Sequence, residues 1–514
     1  MFKKILKKIK NFYNIKTING YRKAKREKKL KELEVIKDEL TGLELNISNK
    51  KLELSLRQFL LRYLINQRFN IAIFHAINDD RPIIYPLPKE WILLLRKKGF
   101  RVNFLLSSIL LYILSIFFFL KSFKTFFNYL IYFNDNFPKS EYVYFNNLES
   151  RNLPNDETNS FTILNWFRSE YKKKNDNISI LLNLKFTENK HTKKCNICYS
   201  KYMFPPLNFK KKIFFLLNFI QLIFKNLIHI ILCDWQQLIL SNEFIHRNYV
   251  RNTSKNKLAN EYWFSISEFI YRPIWTYEIE NCSKIILFNY SGSFYGHKLL
   301  NEYLPEEVGI KSMNWPYIFQ WSEKYMNFLK EKNKENIKFK LVKPIWWGDK
   351  NVSLNIKSNK KSIALFDSTP SNFLRMCELN ASLYRSNQCS KNFIKDIIKI
   401  SKFYDLEVYY KIKKSFDRRY HSKVFQSYID EIVKANKINF IDWEVSPFKL
   451  IKSTTINISI PFTSTALVGK FYNKPSCYYD PTMVLEENDR AAQDVELVKG
   501  EENLSKWIEC NIKD

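Results

Sequence analysis

One segment near the end of the chain constrains its fold more than any other. An apolar alternating run, Ile456–Ile460, is typical of a buried strand, and the hydroxyl-rich residues Pro461–Ala466 follow it directly. A short helix containing Gly469-Lys470 and a second strand at Tyr478–Pro481 complete the pattern. A strand, a loop, a helix and a further strand in this order predict a parallel α/β domain.

The hydroxyl residues of this segment stand where a strand turns into a helix. At such a turn the first backbone N–H groups of the helix and its dipole point at one spot, which suits a phosphate or diphosphate. We therefore predict that Thr463, Ser464 and Thr465 bind phosphate. Ser and Thr at a helix start are also ordinary N-caps, so the local pattern alone leaves both interpretations open.

These residues also carry a resemblance. Pro461-Phe462-Thr463-Ser464 resembles the motif of the PFTS-motif family of polysaccharide biosynthesis proteins. More loosely, the segment is similar to the C-terminal half of GT-B glycosyltransferases, where a hydroxyl-rich loop and a helix ending in Gly-Lys-Pro bind the nucleotide-diphosphate sugar. Here that ending is loosened to Tyr472-Asn473-Lys474-Pro475. Three upstream segments resemble landmarks of the same family: Glu261–Phe264, Arg272–Glu278 and Met313–Pro316.

The resemblance implies a GT-B-like α/β fold of two Rossmann-like domains, here preceded by an N-terminal helical extension. A length of 514 residues exceeds a single core and also favours two domains. We predict a basic helical extension (1–66), an N-terminal α/β domain that meets the acceptor and the membrane (67–345), a linker (346–361), a C-terminal nucleotide-sugar-binding α/β domain (362–482) and a C-terminal helical tail (483–514).

Hydrophobic periodicity predicts individual elements in both domains. In the N-terminal domain these are strands at Asn70–His75 and Lys284–Tyr290, and helices at Lys89–Lys98 and Trp315–Lys330. In the C-terminal domain they are strands at Ile363–Phe366 and Leu406–Ile412, and helices at Asn392–Phe403 and Tyr420–Ala435. Ligands gather at the carboxyl ends of strands in open α/β sheets, so we expect the loop Ser291–Ser293 to line a cleft.

Two further strand ends of the C-terminal domain are expected to converge with the hydroxyl-rich loop. Asp367 and Ser368 follow one predicted strand, and Lys411 and Lys413 lie at the end of the next. A diphosphate needs hydrogen-bond donors and positive charge, which lysines opposite a hydroxyl-lined helix start supply. By position, Lys411 or Lys413 matches the basic phosphate-contacting residue of related glycosyltransferase families. A solvated basic loop is the alternative.

The sequence does not single out a catalytic base. An inverting transfer needs a general base beside the acceptor hydroxyl, and a GT-B arrangement would take it from the first domain. The candidates are Asp79, Glu278 and His297. No Asp-x-Asp motif occurs, which disfavours a metal-bridged GT-A mechanism. The pair Cys195 and Cys198 has no second pair of zinc ligands, so we predict no metal and no cofactor, with the nucleotide-sugar as donor substrate.

Two apolar segments interrupt the α/β pattern. Phe104–Leu120 carries no charge, whereas Ile213–Cys233 contains Lys225. Basic residues flank both segments, which suits an anionic membrane surface. A membrane span, a hairpin dipping into one leaflet and a buried core helix remain open. We predict a location at the cytoplasmic face of the bacterial inner membrane, peripheral or monotopic, with a single span still possible.

The formal net charge of +32 invites a nucleic-acid interpretation. Its excess is spread along the chain, and Lys, Asn, Ile and Phe are all abundant together, as a compositional bias would produce. We therefore predict no nucleic-acid partner and a glycosyltransferase that uses a nucleotide-sugar donor and a lipid-linked or growing glycan acceptor. A polyol-phosphate-type transferase and a non-catalytic assembly or membrane scaffold protein are the alternatives.

Overall fold

A computed structural model describes residues 32–512 apart from a set of gaps. The longest gaps are 155–159, 173–178, 185–196, 304–308, 371–385 and 417–421. Residues 1–31 of the predicted basic extension and Cys195 of the cysteine pair lie outside the described residues.

The first domain is built on a parallel sheet of seven strands. In chain order these are β1 (Tyr142–Leu148), β2 (Ser179–Leu184), β3 (Ile197–Tyr199), β4 (Glu261–Ser265), β5 (Lys284–Phe288), β8 (Tyr317–Gln320) and β9 (Lys338–Leu341). Their order across the sheet is β3-β2-β1-β4-β5-β8-β9, and each neighbouring pair is parallel. A small antiparallel pair, β6 (Lys298–Leu299) and β7 (Glu302–Tyr303), stands apart from it.

The second domain is built on a parallel sheet of six strands. These are β10 (Ser362–Phe366), β11 (Glu407–Lys411), β12 (Asn439–Ile441), β13 (Ile456–Ser459), β14 (Ser476–Asp480) and β15 (Glu496–Lys499). Their order is β12-β11-β10-β13-β14-β15, which is the Rossmann order. β10 and β13 are buried along their whole length because helices cover both faces of the sheet.

Four helices dominate the described chain before the first sheet. They are α1 (Lys50–Phe59), which continues as a π-helical turn to Leu64, α2 (Gln67–Asp79), α3 (Lys89–Lys97) and α4 (Phe104–Leu130). The strand predicted at Asn70–His75 is therefore wrong, since these residues lie inside α2. Phe69, Ile73 and Ala76 are buried at helical spacing, and a four-residue apolar run cannot by itself distinguish a helix from a strand.

Five further α-helices belong to the described part of the first domain: α5 (Ile163–Trp166), α6 (Phe209–Ile231), α7 (Trp235–Ile239), α8 (Ser241–Asn252) and α9 (Glu323–Lys332). The helix predicted over Trp315–Lys330 is corrected in its first half, where Tyr317–Gln320 forms β8. Two helices, α4 and α6, are long and apolar enough to cross a membrane by length and composition.

The second domain has α10 (Asn387–Phe403), α11 (Lys423–Lys434), α12 (Pro447–Ser453), α13 (Ser464–Phe471) and α14 (Glu501–Ile512). The strands and helices predicted for this domain are confirmed. One correction concerns the tail predicted as helical from residue 483, because it contains β15, which pairs with β14. Only four residues make up β15, too few for a clear periodic signal.

The predicted fold class is confirmed: the protein is α/β, with two Rossmann-like domains in a GT-B-like arrangement and an N-terminal helical region. One buried apolar cluster contains residues of both sheets, among them Trp263 and Phe319 of the first and Ile458 and Tyr478 of the second. The loops after β5 and β8 also bond to residues of the second domain. The carboxyl edge of the first sheet therefore faces the second domain.

Candidate functional site

The second sheet reverses its strand order at β10. This strand lies between β11 and β13, so the connections after β10 and after β13 leave in opposite directions. A crevice forms at such a switch point, outside the carboxyl ends of the strands. The loop at Asp367–Thr369 follows β10, and the loop at Ile460–Thr463 follows β13. The structure thus brings together two of the three strand ends that the sequence singled out.

Both loops contain a residue with left-handed backbone. Thr369 has φ of 50° and Phe462 has φ of 61°. Such a conformation costs a non-glycine residue about 1–3 kcal/mol and persists only where its surroundings hold it in place. The Phe462 ring lies 5.7 Å from that of Tyr478 and 5.1 Å from that of His297, measured between ring centroids. Backbone strain on both sides of a switch point is typical of a ligand-binding site.

Hydrogen bonds hold the hydroxyl-rich loop in one conformation. The Thr463 hydroxyl donates to the Ile460 carbonyl at 3.0 Å, and the Ser459 and Thr465 hydroxyls lie 2.8 Å apart. The Tyr478 hydroxyl donates to the Thr463 carbonyl at 2.9 Å. These bonds fix the turn from β13 into α13.

The start of α13 differs from the starts of the two long helices beside it. Ser386 before α10 and Ser422 before α11 each accept a hydrogen bond from a backbone N–H of their helix. Thr463 precedes α13, but its hydroxyl is turned back to the strand and does not cap the helix. The ordinary N-cap interpretation therefore fails for Thr463, and the first N–H groups of α13 keep the partial positive charge that attracts an anion.

Gly469 allows α13 to pack closely on β14. A Cβ atom at this position would lie 2.0 Å from Ser476 Oγ and 3.1 Å from Asn457 Nδ2. Any side chain here would push the helix away from the sheet, and with it the hydroxyl-rich loop. This close approach is a physical reason for the Gly-Lys pair in the segment.

Asp367 lies buried at the end of β10. Burial raises the pKa of its carboxyl group to about 6, although the Tyr410 hydroxyl donates a hydrogen bond to it at 2.8 Å, which lowers the pKa. Ser368, half-buried, is next in the chain. Asp367 can therefore change its protonation state close to neutral pH, as groups at functional sites often do.

The two predicted lysines occupy different surroundings. The Lys411 ammonium is buried and donates to the carbonyls of Ile412 and Trp443, at 3.2 and 3.1 Å. Burial and, to a smaller extent, the charge of Arg151 in the first domain lower the pKa of Lys411 to about 8, although Asp442 and Asp367 act to raise it. Lys413 is exposed, and its backbone N–H donates to the Thr369 hydroxyl at 3.2 Å. Lys413 therefore lies on the loop after β11, next to the loop after β10, whereas the Lys411 charge is directed towards Trp443.

The loop after β5 meets the start of α13. The Gly292 N–H donates to Ser464 Oγ at 3.1 Å, and the Ser291 hydroxyl lies 2.5 Å from the same atom. Gln493 Nε2 donates to the Gly292 carbonyl at 2.8 Å. The loop therefore contacts the second domain directly, and that it lines a cleft stays a prediction. A Cβ atom at Gly292 would lie 2.7 Å from the Trp321 ring, so the approach depends on glycine.

The three candidate bases are spread over the first domain. His297 reaches the site, because its ring packs on Phe462, and burial lowers its pKa to about 4. Glu278 bonds to Arg247 at 2.5 Å and to Arg251 at 2.9 Å, both on α8. Asp79 is the last residue of α2, in the helical N-terminal region. Of the three, the structure brings only His297 to the hydroxyl-rich loop.

Two residues at or against the carboxyl edge of the first sheet are not indicated by the sequence. Glu268 follows β4 at the switch point of the first sheet, where it accepts hydrogen bonds from Asn146, at 3.3 Å, and from Asn147. Nothing in the local sequence marks it, because the switch point depends on the strand order. Gln493 lies in the segment predicted as a helical tail, and its contact with Gly292 joins residues 201 positions apart.

Within the ranges that the structure describes, no group of three or more His, Cys, Asp or Glu side chains is placed to hold a metal ion. Cys198 lies in β3. At its switch point the second domain brings together the start of α13, the hydroxyls of the loop after β13 and the loop after β11 that carries Lys413.

Comparison with known proteins gives one family match. The profile described as "Polysaccharide biosynthesis PFTS motif protein" matches residues 219–508. A comparison with curated proteins gives no match.

Solved structures resemble the chain remotely. UDP-GlcNAc 2-epimerase from Methanocaldococcus jannaschii is 11% identical with a TM-score of 0.37, and the match covers 72% of this chain and 93% of that one. A glycosyltransferase from Rickettsia africae ESF-5 is 12% identical with a TM-score of 0.36, covering 73% and 88%. The lipopolysaccharide outer core galactosyltransferase WaaB is 9% identical with a TM-score of 0.32, covering 72% and 89%.

Proposed function

Because this chain belongs to the PFTS-motif family of polysaccharide biosynthesis proteins, we propose that it is a glycosyltransferase of bacterial surface polysaccharide assembly. The donor is a nucleotide-diphosphate sugar, and the acceptor is a lipid-linked or growing glycan at the cytoplasmic face of the inner membrane. The proposed reaction uses neither a metal nor a further cofactor.

One observation supports the assignment of the donor site to the second domain. The hydroxyl-rich loop after β13 turns at the switch point of a Rossmann-ordered sheet into a helix that its N-cap residue, Thr463, does not cap. A diphosphate placed there would accept hydrogen bonds from the first N–H groups of α13 and from the hydroxyls of Ser464 and Thr465. Lys413, on the neighbouring loop, would add positive charge.

The acceptor would approach from the first domain. Loss of the acceptor hydroxyl proton requires a base next to the site, and His297 packs on Phe462 of the hydroxyl-rich loop. With a pKa lowered to about 4 by burial, the imidazole is neutral at physiological pH and has a lone pair to accept a proton. Glu268, held by two asparagine amides at the first switch point, is the second candidate.

A thermal-shift screen against nucleotide mono- and diphosphates and their sugars tests the donor site. A ligand that binds only the folded state stabilises it and raises the melting temperature. At a ligand concentration of 100 times the Kd, the free energy of unfolding rises by about 2.7 kcal/mol. We expect one nucleotide series to shift the native protein and Ser464→Ala to lose the shift.

Two controls separate ligand binding from local stability. Ser386→Ala removes a hydroxyl that caps α10 in the same domain, so it should melt lower yet respond to ligand normally. Ser291→Ala removes only one partner of Ser464 and should also respond. A native protein that melts cooperatively and shifts with no nucleotide would overturn the proposal and favour a non-catalytic assembly or scaffold protein.

A further inference from the structure

The helix α4 exposes large apolar side chains on one face and buries serines on the other. Its buried stripe contains three serines, Ser107, Ser115 and Ser122, among apolar residues. Large apolar side chains follow the opposite face at helical spacing and are exposed: Leu105, Ile109, Ile113, Phe117, Leu120, Phe127 and Ile131. Leu105 and Ile131 are 67% and 68% exposed. Water is a poor solvent for such a face.

The second long helix, α6, repeats this distribution. Two of its buried residues are polar: the Lys212 ammonium donates to the Tyr132 carbonyl at 2.9 Å, and the Asn226 amide donates to the Ser241 hydroxyl at 3.1 Å. Its exposed apolar residues extend from Phe209 to Leu232 and include Ile213, Leu217, Ile220, Phe224 and Ile228.

The two helices lie side by side and antiparallel. The Phe126 and Phe219 rings stack at 3.6 Å between centroids, and the Tyr112 hydroxyl near the other end donates to the Ile230 carbonyl. Both helices pack on the same layer, formed by α7 and α8. Their faces away from that layer therefore form one continuous apolar surface, which we call the α4–α6 face.

Strand pairing excludes a membrane span by α6. A spanning α6 would put β1, β2 and β3, which precede it, on the opposite side of the membrane from β4, which follows it. β1 nevertheless pairs with β4, with Val143 opposite Glu261.

Contacts of α1 exclude a span by α4 in the same way. Gln58, in α1 before α4, accepts hydrogen bonds at 2.9 Å from the N–H groups of Ile270 and Tyr271, which lie after β4. The chain before α4 and the chain after it are thus on one side of any membrane. The mid-helix residue Phe118 also packs on Phe59 of α1, 4.6 Å away between ring centroids.

Positive charge accompanies the α4–α6 face. Lys121 and Lys124 are exposed on α4, and Lys210 and Lys225 are exposed on α6. Lysine side chains can reach from an apolar surface to the phosphate level of a bilayer, and each adds attraction to anionic lipid. Neither helix carries an acidic residue. This charge selects anionic lipid over a second protein copy, which would bring the same lysines into contact with each other.

We propose that α4 and α6 lie together in the plane of one leaflet and that the α4–α6 face binds anionic lipid without crossing the bilayer. This inference deepens the membrane location in the proposed function, on which it rests. The donor site would then lie in the aqueous phase, and the first domain would meet a lipid-linked acceptor at the membrane surface.

Flotation with sealed vesicles tests binding. We compare vesicles of neutral phosphatidylcholine with vesicles that contain phosphatidylglycerol. The variant Leu120→Glu, Leu217→Glu, Phe224→Glu should bind the anionic vesicles about 100-fold more weakly than the native protein. The control Phe403→Glu, Val424→Glu, Val484→Glu makes the same charge change at side chains that are at least 60% exposed in the second domain, and should bind normally. Equal binding by both variants would overturn the proposal.

Thiol labelling tests the in-plane orientation. In cells that express Lys210→Cys, the new cysteine and the native Cys233 mark the two ends of α6, and Cys510 marks the second domain. A membrane-impermeant maleimide should modify all three in inverted inner-membrane vesicles and none in intact spheroplasts, as read by peptide mass spectrometry. Labelling of either α6 end from outside spheroplasts would show a span and overturn the proposal.

The two proposals fail separately. Vesicle binding requires no donor, and the thermal shift with a nucleotide requires no lipid. A nucleotide response without vesicle binding overturns only the α4–α6 face, and vesicle binding without a nucleotide response overturns only the transferase.

Discussion

The long helices of the two domains differ in the side chains that they expose. In α10 the buried residues include Phe393, Ile394 and Ile397, while Lys395 and Lys399 are exposed. In α4 and α6 many large apolar side chains are exposed, and serines, an asparagine and a lysine are among the buried residues. One fold type therefore contains helices that bury their apolar face and helices that also expose one. The difference indicates that the two domains meet different partners.

The same substitution, made on both kinds of helix, should have very different effects on stability. Phe393→Glu puts a charge into the core of the second domain and should lower the free energy of unfolding by about 4 kcal/mol or more. Phe224→Glu, at a side chain 64% exposed on α6, should change it by about 0.5 kcal/mol at most. Chemical denaturation of both variants and the native protein, in one detergent, measures these changes in the free energy of unfolding. Comparable losses would contradict the assignment of the α4–α6 face as outward-facing.

The buried carboxyl of the second domain gives a pH-dependent prediction. Its pKa in the folded protein is about 6, above the usual 3.8. Protonated Asp367 therefore adds stability below about pH 4, and this contribution is lost as the pH rises through 6. Asp367→Asn imitates the protonated form, so relative to the native protein it should gain about 2.5 kcal/mol between pH 4 and pH 8.

Melting curves of both proteins at a series of pH values measure that gain. Asn at this position can still accept the hydrogen bond from Tyr410, so packing stays matched. A stability difference that is the same at pH 4 and pH 8 would show that Asp367 does not titrate in this range.

The helix that starts at the hydroxyl-rich loop depends on one close contact. Gly469→Ala places a Cβ atom 2.0 Å from Ser476 Oγ and should cost about 2 kcal/mol, measured by denaturation. Combination with Ser476→Ala should recover part of the loss, because the nearest atom is removed. Gly42→Ala is the control, since no heavy atom lies within 4 Å of its Cβ position. Full stability of Gly469→Ala would mean that α13 does not need its present distance from β14.

The smallest expected effect concerns the lysines of the α4–α6 face. Lys121→Gln and Lys124→Gln should each weaken binding to anionic vesicles about fivefold at low salt and leave binding to neutral vesicles unchanged. Lys395→Gln and Lys402→Gln, exposed on α10, are the matched controls. Flotation at two salt concentrations measures the difference. A loss on neutral vesicles as well would assign these lysines a structural role.

The second domain could be predicted from sequence because its signals are local. Strands such as Ile363–Phe366 are short, fully apolar and bounded by polar loops, and its helices have one apolar stripe each. The hydroxyl-rich loop was found for the same reason. That Thr463 leaves its helix uncapped could not be predicted, since a threonine before a helix looks the same whether its hydroxyl faces the helix or the strand.

The first domain was harder to predict because tertiary contacts decide its elements. Ile71–Phe74 fits a strand or a helix equally well, and packing of Phe69 and Ile73 selects the helix. The apolar segments at α4 and α6 left three interpretations open, and the pairing of β1 with β4 excludes the span for α6. Glu268 gains its position only from the strand order, and Gln493 from a contact across domains.

The most direct test of the division between the two domains measures two binding reactions on two variants. Calorimetry gives the Kd for the nucleotide found in the screen, and flotation gives binding to phosphatidylglycerol vesicles. The account predicts that the Leu120, Leu217 and Phe224 triple Glu variant keeps the nucleotide Kd and loses vesicle binding. Ser464→Ala should do the reverse. A variant that loses both, while melting as cooperatively as the native protein, would contradict separate donor and membrane surfaces.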